Sequence, residues 1–392
     1  MGSQCRRPLL IASFAVALHS NVFSAPPVLS SENAKGSNAG TTASTLNSLS
    51  TAAWKSLTDK NYRLTLKLAD QWLAKDPMAA NAYHVKAKAF LELGEKDRAM
   101  EGFTQALKLD PKLSIAYMER GWLYWRAGKY GQAEHDFSTL VALNPTAPAY
   151  VNRAYASEKL NRPQAVIADT TKAIQLGTKD FAAYEMRANA FFKIGPYDKS
   201  IDDWKQAIAL APKLERLRSG LATSIAQTYD HEAEVEELTK AIDSGMKSPH
   251  LYKLRADALY KLEDYKRCAD DLTVLLTKLG PVDKWKQWDY FKLRGRCYLR
   301  NKEYARAEKD CTDALAIAVD DSKSYYCRAD ARERMGKFKG AIEDLTQVIK
   351  FDPGNGRAFS MRAKIYEHIG EKAKADSDRK AAIKLGDKQW GI

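Results

Sequence analysis

Arg328 and Asp344 stand sixteen residues apart, and the same spacing recurs at Arg120/Asp136, Arg153/Asp169, Arg187/Asp203, Arg255/Asp271, Arg294/Asp310 and Arg362/Asp378. A guanidinium offers a rigid fork of N–H donors that matches a carboxylate, so such a pair can orient a reacting group or tie two elements together. The cysteines are the other candidates for chemistry: Cys5, Cys268, Cys297, Cys311 and Cys327. The last four lack the close C-x-x-C pairing of a metal site, which leaves disulfides or buried thiols. The six histidines, His19, His84, His135, His231, His250 and His368, are scattered and read as solvated or packing residues. No phosphate-binding glycine loop, H-E-x-x-H or G-x-S-x-G motif occurs. The reading is therefore no metal, no cofactor and no enzyme, with an enzyme or enzyme subunit kept as an alternative.

The elements that position these residues come from internal periodicity. A small residue recurs at Ala53, Ala87, Gly121, Ala154, Ala188, Ala222, Ala256, Gly295, Ala329 and Ala363, stepping by 34 with one step of 33 and one of 39. An aromatic precedes it by four in most copies, as at Tyr117, Tyr184 and Tyr325, and Gly or Asn follows by seven, as at Gly94, Asn161 and Gly336. Prolines 77, 111, 145, 212 and 353 close several copies, as expected just past a helix end. Apolar spacing predicts two helices per copy, and the small residues let them approach closely. The turn falls about midway between each arginine and its aspartate, so the two meet across the hairpin. Arg328 with Asp344 and Arg187 with Asp203 are read as structural ion pairs. The copies that lack the arginine have Leu68, Gly102 and Glu237 in the aspartate column.

These columns resemble the tetratricopeptide repeat family. In the segment from Ala116 to Pro145, the residues Tyr117, Gly121, Tyr124, Ala133, Phe137 and Pro145 fall where that family has its signature residues. The resemblance implies an all-α fold: an α-α superhelix, or solenoid, of about ten 34-residue helix-turn-helix repeats over residues 50–386. It also implies a peptide-binding surface on the first helices. Residues there include Trp122, Trp125, Arg126, Tyr155, Asn189, Phe192 and Lys193, with Lys159 beside the rings. Trp122 and Trp125 fit either such a groove or the core. Members that clamp a C-terminal carboxylate use a Lys/Asn/Asn/Lys/Arg set, of which Asn189 alone has a counterpart here.

Two copies depart from the pattern. Around Ala222 the aromatic and the glycine are replaced by Arg218 and Tyr229, so a local irregularity is expected over 214–245. The step of 39 places an insertion at 276–290, read as a lengthened helix or as a partner contact through Trp285 and Trp288. Cys268 lies on a second helix and Cys297 on the next first helix, with Cys311 and Cys327 similarly related. Two staples, Cys268–Cys297 and Cys311–Cys327, or four buried thiols, fit this placement.

Outside the repeats, a basic start and the apolar run PLLIASFAVAL precede a small-residue cleavage pattern, so 1–24 reads as a signal peptide. Residues 25–49 read as a disordered linker and 387–392 as a tail. Export implies a periplasmic or secreted protein, or one in an organelle lumen, with no membrane span in the mature chain. At 45% hydrophobic, 28% charged and a formal net charge of +13, the chain fits a folded basic protein. The partner expected is a protein or extended peptide, held by a non-catalytic scaffold. An anionic glycan or lipid surface is the alternative, and nucleic acid is not expected.

Overall fold

The computed structural model describes residues 37–279 and 283–387. The expected signal peptide, the start of the linker and residues 388–392 lie outside them. The fold is all-α, with twenty helices paired into ten hairpins among the described residues. The chain divides into two units at Pro145.

The first unit holds three hairpins: α1 (Ser37–Thr58) with α2 (Tyr62–Lys75), α3 (Ala80–Glu92) with α4 (Lys96–Leu109), and α5 (Ser114–Arg126) with α6 (Tyr130–Leu143). Residues 37–49, expected in a disordered linker, are helical. Leu46, Leu49, Ala53 and Leu57 recur at helical spacing and pack with Ala69, Trp72 and Val85, which gives this stretch an apolar face to bury.

The second unit holds seven hairpins: α7 (Ala147–Lys159) with α8 (Pro163–Gln175), α9 (Phe181–Ile194) with α10 (Tyr197–Leu210), α11 (Glu215–Ala226) with α12 (His231–Asp243), α13 (Pro249–Lys261) with α14 (Tyr265–Thr277), α15 (Lys284–Arg300) with α16 (Tyr304–Ile317), α17 (Ser322–Arg334) with α18 (Phe338–Phe351), and α19 (Gly356–His368) with α20 (Lys372–Lys384). The stretch 214–245 forms an ordinary hairpin, and its departure lies in its side chains. Of the expected insertion, residues 284–290 are helical and 280–282 lie outside the described residues: α15 has 17 residues where the other first helices of this unit have 12 to 14.

Within each unit, successive hairpins stack in chain order and bury a run of small clusters. Alanines fill the closest helix contacts, and larger side chains such as Phe103, Phe137, Leu251 and Leu345 are fully buried. Burying each of these contributes roughly 1.5–3 kcal/mol. Gly121 shows why the small column is needed: a Cβ there would lie 2.6 Å from Cε1 of Phe137.

Cys268 and Cys297 form a disulfide that joins α14 to α15. The second staple is not formed. Cys311 and Cys327 are buried thiols, and Cys311 is hydrogen-bonded to Cys327, which together with burial pushes its thiol well above the usual range. Both are buried, Cys311 on α16 and Cys327 on α17, and a Cβ on Gly295 of α15 would lie 3.0 Å from the Cys311 Sγ.

The turns inside the hairpins require the left-handed backbone. Glycine supplies it in several copies, but Tyr229 adopts φ 62° while 84% exposed. A bulky residue is strained there. Tyr229→Gly is expected to stabilise the second unit by about 0.5–1 kcal/mol, the left-handed penalty less the entropy lost by glycine. Denaturant unfolding checks this, and a lowered midpoint would count against it.

Candidate functional site

The seven arginines do the same structural work. Arg328 donates from Nε and Nη2 to Oδ2 and Oδ1 of Asp344 at 3.0 and 2.7 Å. Arg187 makes the same fork to Asp203 at 2.8 and 2.7 Å, and the other five pairs match. The aspartates are buried. A tyrosine or phenylalanine three residues earlier lies beside each guanidinium, at 5.5 Å for Tyr325 and 6.0 Å for Tyr184. Hydrogen bonding to Asp136, Asp271 and Asp378 raises Arg120, Arg255 and Arg362 above the usual arginine range. Burial pushes the Asp271 and Asp310 carboxyls up by more than their arginines pull them down.

Six of the seven also reach backwards. Nη1 of Arg120, Arg187, Arg255, Arg328 and Arg362 donates to Thr104, Thr171, Thr239, Thr312 and Thr346, on the second helix of the preceding hairpin. Arg294 reaches Thr273 across the longer step at 3.0 Å. One side chain therefore closes its own hairpin and stitches it to the one before. The threonine column follows the aspartate column by two residues and was readable in the periodicity, but the sequence reading missed it. Arg328 and its sisters are thereby consumed by architecture and are not free to serve a substrate.

Within the second unit, the α10–α11 junction lacks this stitch. Before Ala222, Leu221 stands in the arginine column, and Lys205 stands in the threonine column. Arg218 approaches Glu237 only at 4.0 Å, and its buried Nε has no partner. A different network holds α10 to α11. Trp204 Nε1 donates to Ser224 Oγ at 3.1 Å, Ser224 meets Ser200 at 3.0 Å, and Ser200 donates to the Ala188 carbonyl at 2.9 Å.

The same junction bears a pocket of about 320 Å³ on the face made by the first helices, lined by Asn189, Phe192, Trp204, Arg216, Gly220 and Thr223 among others. Register explains it. Where α9 carries Glu185, Met186, Asn189 and Phe192, and α13 carries Lys253, Leu254, Asp257 and Tyr260, α11 carries Ser219, Gly220, Thr223 and Ala226. A Cβ on Gly220 would sit 2.4 Å from Cζ2 of Trp204, so the missing side chain lets an indole from the second helix of the previous hairpin wall the pocket. Arg216 spans the mouth with a two-pronged bond to Glu185 at 2.8 and 3.2 Å.

The expected groove residues fall into two sets. Trp122, Trp125 and Arg126 belong to the first unit. Trp122 is half-buried there and packs edge-on against Trp125 and the core residue Phe137, both at 5.5 Å, so it serves core and surface together. Tyr155, Asn189, Phe192 and Lys193 belong to the second unit. Asn189 and Phe192 share the pocket, Lys193 donates to Asn161 at 3.2 Å, and burial pushes the Tyr155 phenol well up. At the start of α15, Trp285 is 66% exposed and meets Trp288 edge-on at 6.2 Å. Lys292 lies 3.6 Å from the centre of the Trp288 ring.

Tetratricopeptide-repeat family models match residues 80–113, 118–176 and 326–386. Those segments are tetratricopeptide repeats. The chain is similar to DnaJ homolog subfamily C member 3 of Mus musculus, 26% identical over 297 residues, which cover 69% of this chain and 59% of that protein. It is 23% identical over 243 residues to Hsp70-Hsp90 organizing protein 3 of Arabidopsis thaliana, covering 57% of this chain and 39% of that one. The chain thus spans little more than half the length of the first relative. Among solved structures, a tetratricopeptide repeat protein from Parabacteroides merdae is 18% identical with a TM-score of 0.45, covering 64% of this chain and 98% of that one.

The tetratricopeptide repeats of the first unit also enclose a polar cluster that the sequence reading did not foresee. His84 is 2% exposed, and its Nε2 lies 2.7 Å from Glu119, which also accepts from Lys88 at 2.6 Å. Burial pushes the Glu119 carboxyl up, and His84 and Lys88 more than reverse this, leaving it below the usual range. Among the described residues no group of three or more His, Cys, Asp or Glu is placed to hold a metal ion, and no helix is long and apolar enough to cross a membrane.

Asp344 accepts from Arg332 as well as Arg328. Asp344→Ala is therefore expected to destabilise the second unit by about 3–5 kcal/mol, the cost of stranding buried charge. Thermal unfolding checks this. A melting temperature equal to that of the parent chain would mean that the pair holds nothing.

Proposed function

We propose that the chain is a non-catalytic scaffold whose first-helix face in the second unit binds an extended peptide. The observation that carries this reading is the pocket over α11, a concave site that joins aromatic walls to an uncommitted amide. The amide of Asn189 makes no hydrogen bond to the chain among the described residues, whereas Glu185 and Arg216 are mutually engaged. An amide in that position can donate to and accept from a peptide backbone. Arg187 and Arg255 tie α9 and α13 to the hairpins before them, and the Trp204–Ser224–Ser200 network holds the pocket's own junction, which limits the ordering entropy lost on binding. A relative named for organising Hsp70 and Hsp90 adds support for a polypeptide partner.

Peptide binding by the full chain, followed by fluorescence anisotropy, tests the reading. Asn189→Ala is expected to weaken binding about tenfold, the loss of one or two hydrogen bonds, with the unfolding midpoint unchanged. Undiminished affinity would remove Asn189 from the site.

The reading extends to an exported setting. It is supported by the signal-like character of residues 1–24 and by the Cys268–Cys297 disulfide, a bond that persists where the surroundings are oxidising. Non-reducing mass mapping of protein recovered from its own cells is expected to find the 268–297 peptide in the exported fraction. Recovery of both thiols free in the cytosolic fraction would refute this placement.

A further inference from the structure

We propose that the pocket between α9 and α11 is an anchor subsite for one aromatic side chain of the bound peptide, an inference that rests on the peptide-binding reading above. Its aromatic wall has a specific origin. The indole of Trp204 belongs to α10 and is 4% exposed, yet it reaches the pocket because Gly220 leaves the backbone of α11 bare. Phe192 supplies a second aromatic wall, and its ring is itself braced at 5.7 Å by Tyr197. Two rings meeting at a cleft favour a third that enters edge-on or offset.

Apart from the Asn189 amide and the Ser219 hydroxyl, the polar groups of the lining are engaged elsewhere. Thr223 Oγ1 donates to the Ser219 carbonyl at 2.8 Å. Ser224 Oγ is occupied by Trp204 and Ser200. Glu185 and Arg216 engage each other. A charged side chain entering the pocket would lose water and find its countercharge already paired, which is costly. The volume of about 320 Å³ lies at the low end for pockets that enclose a small ligand, so it suits one bulky side chain. Asn189 stands at the edge, where the peptide backbone on either side of the anchor would pass.

The test selects a randomised dodecapeptide display library on the full chain and measures the enriched peptides by anisotropy. The expected result is a single Phe, Tyr or Trp position in every binder. Replacing that residue by Ala should cost at least about tenfold in affinity and replacing it by Leu distinctly less, consistent with the extra ring–ring attraction. Thr223→Trp, which fills the pocket, should abolish binding. Phe192→Ala, which removes a wall without adding bulk, should erase the aromatic preference, and it decides the matter if the filled variant fails to fold. Binders that tolerate Leu or a charged residue at every position, or that keep their affinity for a folded Thr223→Trp or Phe192→Ala chain, overturn the anchor while leaving peptide binding intact. A library from which nothing is enriched overturns the peptide-binding reading and the anchor with it.

Discussion

A guanidinium with three directions of hydrogen bonding is the constraint on which the hairpin stack depends. Arginine's fork satisfies both oxygens of an aspartate in its own hairpin, and its remaining arm holds a threonine hydroxyl in the hairpin before. Two charges taken out of water are worth keeping only when their hydrogen-bonding capacity is met. The buried aspartates meet that condition, since both oxygens are engaged and the guanidinium retains an outlet to the neighbouring helix and a ring at its flank. Alanine and glycine contacts set how closely helices approach. They are non-directional, and a helix can slide or rotate over them. The arginine fixes register in a way that apolar packing cannot, because a one-residue slip would strand an aspartate.

The proposed binding face follows from where this device is missing. α11 has Leu221 where its neighbours have arginine, and the preceding hairpin has Lys205 where its neighbours have threonine. The junction is held by an indole and two serine hydroxyls instead. That exchange moves the contact from the interior of the hairpin toward the first-helix face. It requires glycine at 220 to admit Trp204, and it leaves small side chains, Ser219 and Thr223, in the lining beside Phe192. The pocket and the missing stitch are two consequences of one set of substitutions.

Much of this was legible in the chain because ten copies act as a comparison among themselves. The arginine and aspartate columns travel together, and the structure joins them as their spacing implies. The hairpins, their turns and the lengthened α15 were readable in the same way. The threonine column was equally periodic, but its partner lies in a different copy, and spacing within one hairpin does not reveal it. Trp204 was invisible as a site residue because it occupies a second helix, whose large apolar residues ordinarily face the core. Only the absent side chain of Gly220, one residue among several small ones, exposes it. The cysteines divide for a similar reason. Membership of adjacent helices was readable for both pairs, whereas bonding depends on side-chain placement, and only Cys268 and Cys297 are bonded. Residues 37–49 looked like linker by composition, yet Leu46 and Leu49 extend the apolar face of α1 by one more turn.

An occupant of the pocket would touch α9 and α11 at once, across the junction that lacks the arginine. At the other junctions of the second unit, the attachment of one hairpin to the next is supplied by the chain's own guanidinium, and a ligand there would find that contact already made. At α10–α11 the attachment is a short hydroxyl–indole network, and within the hairpin that follows Arg218 approaches Glu237 only at 4.0 Å. Binding free energy can therefore do structural work at this position that it cannot do at the stitched junctions. A ligand side chain lodged against Trp204 would press on the element that replaces the missing stitch and bridge the two hairpins on either side of it. In the proposed peptide-binding reading, recognition and the rigidity of this part of the stack are coupled through one indole ring.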